Sequence, residues 1–266
     1  LEEPDSICIP AQVAGTGDQA IARLIISCKA QQTESAFSAI AATVDDEAQV
    51  ILLQNGMGVA EQLQNRYPQL QLHAAVTTRG AHSRAPFHVR PAGRGQTRMG
   101  RFPREPKHTD TEPARSLAQQ LNSDALPVDY CDNIYLAQWH KLPVNAVINP
   151  LTALYRVRNG DLLHHAAAQR DTRALCSEIC AVSQAIAMPL SERELHQRVI
   201  AVCEQTADNI SSMLQDVRSG RATEIDYING YLQQKALENG IDCPTNATVL
   251  ARVRALQPDS DTSPGG

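Results

Sequence analysis

Apolar positions are grouped in two different ways along this chain. In the first half, short continuous apolar runs alternate with amphipathic stretches. Residues 22–28 (Ala-Arg-Leu-Ile-Ile-Ser-Cys) and 48–54 (Ala-Gln-Val-Ile-Leu-Leu-Gln) read as buried strands. Gln31 to Thr43 between them reads as an Ala-rich helix. Asn55-Gly56-Met57-Gly58 then opens a helix over 59–66, and His73 to Thr77 is a third strand. Continuous apolar strands joined by helices predict a parallel sheet covered on both faces. Phe87 to Arg90, a turn over 91–95 and Gln96 to Met99 predict an antiparallel hairpin. A polar loop over 103–113, a helix over 114–122 and a short strand over 126–131 complete this half.

From about residue 133 the pattern becomes helix after helix. Ser191 and Glu194 form a capping box that starts one helix running to about 218. Thr223 can cap the next, with Gly240 and Pro244 as stop signals. The expected architecture is an α/β domain over 1–132, an all-α helical domain over 133–256 and a frayed tail over 257–266. A cleft between two such units is the usual place for a ligand.

Composition narrows the function. The chain has 266 residues and a formal net charge of −5, with 42% apolar and 4% aromatic residues. That balance supports a real core and disfavours nucleic-acid binding, which needs a basic field or stacking aromatics. A basic strip does run from Arg79 to Lys107; it reads as a solvated hairpin or, more sharply, as a phosphate- or partner-binding surface. No apolar run is long enough to span a bilayer, so no membrane association is expected. The seven cysteines are scattered without Cys-x-x-Cys, which predicts neither a disulfide framework nor a metal site. A reducing cytoplasm fits that usage.

The chemistry is concentrated in Trp139-His140-Lys141-Leu142-Pro143-Val144-Asn145-Ala146-Val147-Ile148-Asn149-Pro150. Lys141, Asn145 and Asn149 are four apart, so a helix carries them along one face among apolar flanks. Such a stripe suits a polar cleft, where lysine can protonate an oxygen and carboxamides can orient a small polar substrate. A polar network between packed helices would look the same. His140 points away and reads as a bystander. Pro143 is a potential break that could displace Lys141. Asn209 and Ser212 are predicted to share a helix face. Asn55-Gly56-Met57-Gly58 sits at the carboxyl end of a strand, where open α/β sheets bind ligands. Gly15-Thr16-Gly17 does not follow a convincing strand and is rejected as a dinucleotide fingerprint.

Together, Lys29 after Leu-Ile-Ile-Ser-Cys, Gln-Asn-Gly-Met-Gly at 54–58, Lys-x-x-x-Asn-x-x-x-Asn-Pro-Leu-Thr at 141–152, Asn159-Gly160-Asp161-Leu162, Ser-Ser-Met-Leu-Gln-Asp at 211–216 and Thr-Glu-Ile-Asp-Tyr-Ile-Asn-Gly at 223–230 resemble the ketopantoate reductases (2-dehydropantoate 2-reductases). The resemblance implies an α/β Rossmann-type NADP-binding domain, incomplete at its amino end, followed by the all-α helical domain, and NADPH-dependent reduction of 2-dehydropantoate to pantoate in pantothenate biosynthesis. It implies Lys141 as the proton donor and substrate contacts from Asn145, Asn149, Asn159, Ser212, Met213, Leu214 and Gln215. It places Asn55, Ala81, Glu224 and, with less weight, Lys29 at the cofactor. A homodimer is compatible with it. The family's opening strand, Gly-x-Gly-x-x-Gly turn, helix and second strand, roughly fifty residues, are expected to be missing here. That loss would remove central strands and expose apolar surface on the rest. The alternatives are a non-catalytic remnant whose helical part binds a substrate or partner without NADPH, and a reductase of another small 2-oxo or 3-hydroxy acid.

Overall fold

The computed structural model describes residues 20–85, 88–92, 95–102, 111–123 and 126–258. Three parallel strands form the frame: β1 (Ile21–Ile26), β2 (Val44–Leu52) and β3 (Gln71–Thr77). The crossovers are α1 (Thr33–Ile40), flanked by two 3-10 turns, and α2 (Val59–Arg66). β4 (Gly80–Ala85) and β5 (His88–Ala92) make a separate two-stranded sheet. β6 (Thr97–Arg101) returns antiparallel to β3, and after α3 (Glu112–Leu121) the strand β7 (Val128–Tyr130) runs parallel to β6. The main sheet order is β1-β2-β3-β6-β7.

The register decides where chemistry can occur. Ile26 pairs with Leu52 and Leu52 with Ala74, so the chain leaves β1, β2 and β3 at one edge of the sheet. Lys29, Asn55 and Thr77 are gathered there. Gln54 Nε2 ties the first two segments by donating to the Ile26 and Cys28 carbonyls at 2.8 and 3.2 Å. β1 is the sheet's edge among the described residues, and its Ile25 is 49% exposed.

The helical half is built around α4 (Ile134–Tyr155), whose cap Asn133 accepts from the Leu136 N–H at 3.0 Å. α4 is apolar on nearly every side, as a helix enclosed by others must be. It packs against α5 (Ala166–Ala185), α6 (Glu192–Gln205), α7 (Ser212–Arg218), α8 (Ile225–Glu238) and α9 (Pro244–Arg254), and against β3 and β6. Trp139, Leu142, Val147 and Leu151 of α4 are fully buried in that core. No helix among the described residues is long and apolar enough to cross a membrane.

Three expectations need correction. The segments around the 91–95 turn do not pair with each other: β5 pairs with β4, and β6 with β3 and β7. The main sheet offers β6 two neighbours, which outweighs one local hairpin contact. The helix predicted from Ser191 to 218 is two helices, α6 and α7. Between them the Ala207 and Asn209 carbonyls accept from the Gly160 and Asn159 N–H groups, and Ser211 caps α7. Gly160 permits this approach, because a Cβ there would lie 2.7 Å from the Ala207 Cβ. Asn209 therefore lies in the connection and does not share a helix with Ser212. Third, Gln257 is not frayed: its side chain accepts from the Thr223 N–H at 2.8 Å; residues 259–266 of that tail lie outside the described residues. The rejected Gly15-Thr16-Gly17 and most of the 103–113 loop lie outside the described residues.

Candidate active site

α4 runs through both of its prolines, so Lys141 keeps its helical position. From Lys141 to Pro150 the residues are buried except Lys141, Asn145 and Asn149, which are partly open. The four-residue spacing thus becomes a polar line on a buried helix. Thr152, one turn beyond Asn149, bonds the Ser211 hydroxyl at 2.6 Å. The line therefore runs from the sheet edge at Lys141 towards the start of α7, where Ser212 and Gln215 are exposed.

Lys141 spans the two halves. Its Nζ donates to Asn55 Oδ1 at 2.8 Å and to the Thr77 carbonyl at 2.9 Å. An ammonium has three protons, so these acceptors leave one for a ligand. Asn55 Nδ2 in turn donates to Glu224 Oε2 at 3.3 Å, and Glu224 Oε1 accepts from the Ala30 N–H at 3.2 Å. Burial pushes the Lys141 pKa below the usual ammonium value, and the Glu224 charge opposes the fall. Burial raises the Glu224 carboxyl, against the bonds from Ala30 and Asn55 and the nearby Lys29.

Beside this line lies a cleft of about 290 Å³, walled by Ser27 to Lys29, Leu53 to Asn55, Ser212, Gln215, Asp216, Arg221 and Glu224. A narrower niche that shares Leu53, Gln54 and Asn55 reaches Lys141, Asn145 and Gln138. Lys29 forms an ion pair with the buried Asp216, whose other oxygen accepts from Arg221 Nε at 3.2 Å. Lys29 also donates to the Ala222 carbonyl at 3.4 Å.

Lys29, Asn55, Lys141, Asn145, Ser212, Gln215 and Glu224 are therefore brought around one cleft and its niche. Five residues stand apart. Asn149 is partly open on α4 but lines neither the cleft nor the niche. Met213 and Leu214 are 2% and 0% exposed, so their side chains are core, and α7 can offer a ligand only Ser212 and Gln215. Ala81 lies exposed in β4 opposite Pro91. Asn159 is buried and donates to Thr206 Oγ1 at 2.8 Å, and its Oδ1 has no partner among the described residues. Sequence reading assigned no role to Thr77 or Asp216. Thr77 acts through a main-chain carbonyl, which leaves no side-chain signal. Asp216 ends a quoted motif but gains meaning only opposite Lys29. His140 is exposed, away from the niche. Among the described residues no cluster of His, Cys, Asp or Glu could hold a metal ion.

The residues fit one end of a nicotinamide nucleotide. Gln54 Oε1 is buried without a partner among the described residues, and Asn55, Ser212, Gln215 and Glu224 offer donors and acceptors for a carboxamide and ribose hydroxyls. The position, at the carboxyl ends of parallel strands, is where such sheets bind nucleotides. No Gly-x-Gly-x-x-Gly turn occurs among the described residues to hold a pyrophosphate.

Comparison with known proteins agrees with this arrangement. Residues 3–104 match the family described as Ketopantoate reductase PanE/ApbA, and residues 133–257 match Ketopantoate reductase PanE/ApbA C terminal. A 2-dehydropantoate 2-reductase of Shigella flexneri is 36% identical over 231 residues, which is 87% of this chain and 73% of that protein. The crystal structure of a probable 2-dehydropantoate 2-reductase from Bacillus subtilis superposes with a TM-score of 0.74 at 31% identity, covering 90% of this chain and 79% of that one. The fold is also that of a D-mandelate dehydrogenase solved with NADH and anilino(oxo)acetate, with a TM-score of 0.81 at 24% identity over 91% of this chain and 78% of that one. Fold and site together define a Rossmann-type α/β reductase with a helical second half. The chain belongs to the ketopantoate reductase family.

Proposed function

We propose that this protein reduces 2-dehydropantoate to pantoate with NADPH, in the cleft between its α/β and helical halves. One observation carries the reading: the Lys141 ammonium is held at the sheet edge by Asn55 and Thr77 with one proton left over. NADPH, when bound, supplies the hydride to the ketone carbon. The oxygen then needs a proton, and Lys141 Nζ supplies it. Burial that lowers the Lys141 pKa makes it a readier donor, and the Glu224 charge opposes that fall. The neutral amine regains its proton from solvent. Asn145 and Asn149 would hold the substrate's hydroxyl and carboxylate oxygens, with Ser212 and Gln215 of α7 lining the adjoining cleft. Asn55 and Glu224, which line the cleft and bond each other, would hold the nicotinamide ribose. Lys29 and Arg221, already paired with Asp216, add positive charge for the substrate's carboxylate. The intact Lys141–Asn55–Glu224 line is more than a non-catalytic remnant requires.

The test is NADPH oxidation by this chain with 2-dehydropantoate, repeated with NADH and with a bulkier 2-oxo acid such as benzoylformate. Turnover that prefers 2-dehydropantoate and NADPH supports the proposal. A preference for benzoylformate moves the chain to another 2-oxo acid, and no turnover with any pair removes the catalytic reading.

A further inference from the structure

Pro150, which follows Asn149, leaves a gap in α4. Proline has no N–H, so it cannot donate to the carbonyl four residues back, that of Ala146. Ala146 is fully buried, so solvent cannot take the place of that donor. The missing donor comes from α8: Asn229 Nδ2 lies 2.9 Å from the Ala146 carbonyl. Asn229 is itself fully buried. Its Nδ2 also donates to Asn246 Oδ1 at 3.0 Å, and Asn246 Nδ2 returns a bond to the Asn229 carbonyl at 3.0 Å. Asn246 is fastened in turn by α5, where the Glu178 carboxylate accepts from the Thr245 and Asn246 N–H groups at 2.7 and 2.8 Å. A polar spine thus crosses four helices and ends on the one carbonyl that Pro150 deprives.

The two ends of this gap are the substrate stripe. Ala146 follows Asn145, and Pro150 follows Asn149. The pitch of the turn between them sets the angle between the two carboxamides. We propose that Asn229 is a positioning residue: its amide stands in for the N–H that Pro150 lacks and so holds Asn145 and Asn149 in line with Lys141. This rests on the reading that the stripe binds the substrate. A proline in the stripe removes the helix's own hydrogen bond and hands control of that turn to a side chain from another helix.

The experiment is a double-mutant cycle with Asn229→Leu and Pro150→Ala, since Ala returns an N–H to the helix. Asn229→Leu is expected to raise KM for 2-dehydropantoate about 10–100-fold, with a smaller change in kcat. It is expected to lower the thermal midpoint by roughly 5 °C. In the Pro150→Ala background both losses should shrink several-fold. Should Asn229→Leu fail to accumulate folded, recovery of folded protein on adding Pro150→Ala reads the same coupling. Equal losses in the two backgrounds, or no recovery, overturn the proposal. Coupling in the midpoint but not in KM makes Asn229 a core residue only and also overturns it. If the wild-type protein leaves 2-dehydropantoate unreduced, the substrate reading falls and takes the positioning role with it, while the thermal cycle still reports whether Asn229 and Pro150 act as a pair.

Discussion

The ammonium of Lys141 and the carboxamide oxygen of Asn55 lie 2.8 Å apart across the junction of the α/β and helical halves. One residue comes from the middle of a buried helix and the other from the turn after a parallel strand. Neither element alone could place a cation at the mouth of the sheet. The contact makes the position of α4 against β2 part of the chemistry.

Lys141→Ala is therefore expected to lower kcat by roughly 10²–10⁴-fold while the protein stays folded. The side chain is tethered at its tip by Asn55 and Thr77. Steady-state rates alongside a thermal melt check this. An unchanged kcat would remove Lys141 as the acid, and a collapsed melt would make it structural.

A second expectation concerns pH. Lys141 donates only while protonated, so reduction should weaken as pH rises through its depressed pKa. Glu224 opposes that depression. Glu224→Gln keeps an acceptor for the Ala30 N–H but deletes the charge, so the alkaline limb of kcat/KM should move to lower pH. A limb that stays put, or moves up, contradicts the assignment.

Much of this was legible beforehand because local signals agreed with tertiary ones. β1, β2 and α2 came from apolar runs and a Gly turn, and the Lys141 stripe came from spacing alone. The misses have a common cause. β5 and β6 each look like half of a hairpin, but a strand's partner depends on which neighbours the sheet provides. The α6–α7 break is set by carbonyls that meet Gly160 and Asn159, some fifty residues earlier in the chain. Met213 and Leu214 sit in a motif with Ser212 and Gln215, and only helix phase separates the pairs. Asp216 and Asn229 matter through partners on other elements, and no window of sequence contains both partners.

The turn that carries Asn55 makes a third expectation. Gly56 has φ +85°, and a Cβ there would lie 2.3 Å from the Tyr227 carbonyl oxygen. That same oxygen accepts from the Met57 N–H at 2.8 Å, so it cannot retreat without loss of a bond. Gly56→Ala should cost at least about 2 kcal/mol in urea unfolding, from the backbone conformation and the clash together. A loss within about 0.5 kcal/mol, the range of an ordinary surface change, would mean that the turn and α8 are free to separate.

His73 makes the last. It sits in β3 between Ile51 and Arg101, buried, and neither ring nitrogen has a hydrogen-bond partner among the described residues. Burial, with the Arg101 charge adding to it, lowers its pKa from 6.5 to about 4. The folded protein thus keeps His73 neutral where the unfolded chain already takes a proton. Above pH 6.5 the two states bind alike and the residue adds no pH dependence. As pH falls from 6.5 to about 4 the unfolded state gains, and below that the penalty is constant. The gap corresponds to about 3 kcal/mol. His73→Leu removes the titration and two unpaired nitrogens from the interior, so it should be neutral or stabilising at pH 7. Its advantage over the wild type should then widen as pH drops through that window. Urea unfolding of both proteins at several pH values between 7 and 4 decides it. Parallel curves would mean that His73 finds a proton partner in the folded protein.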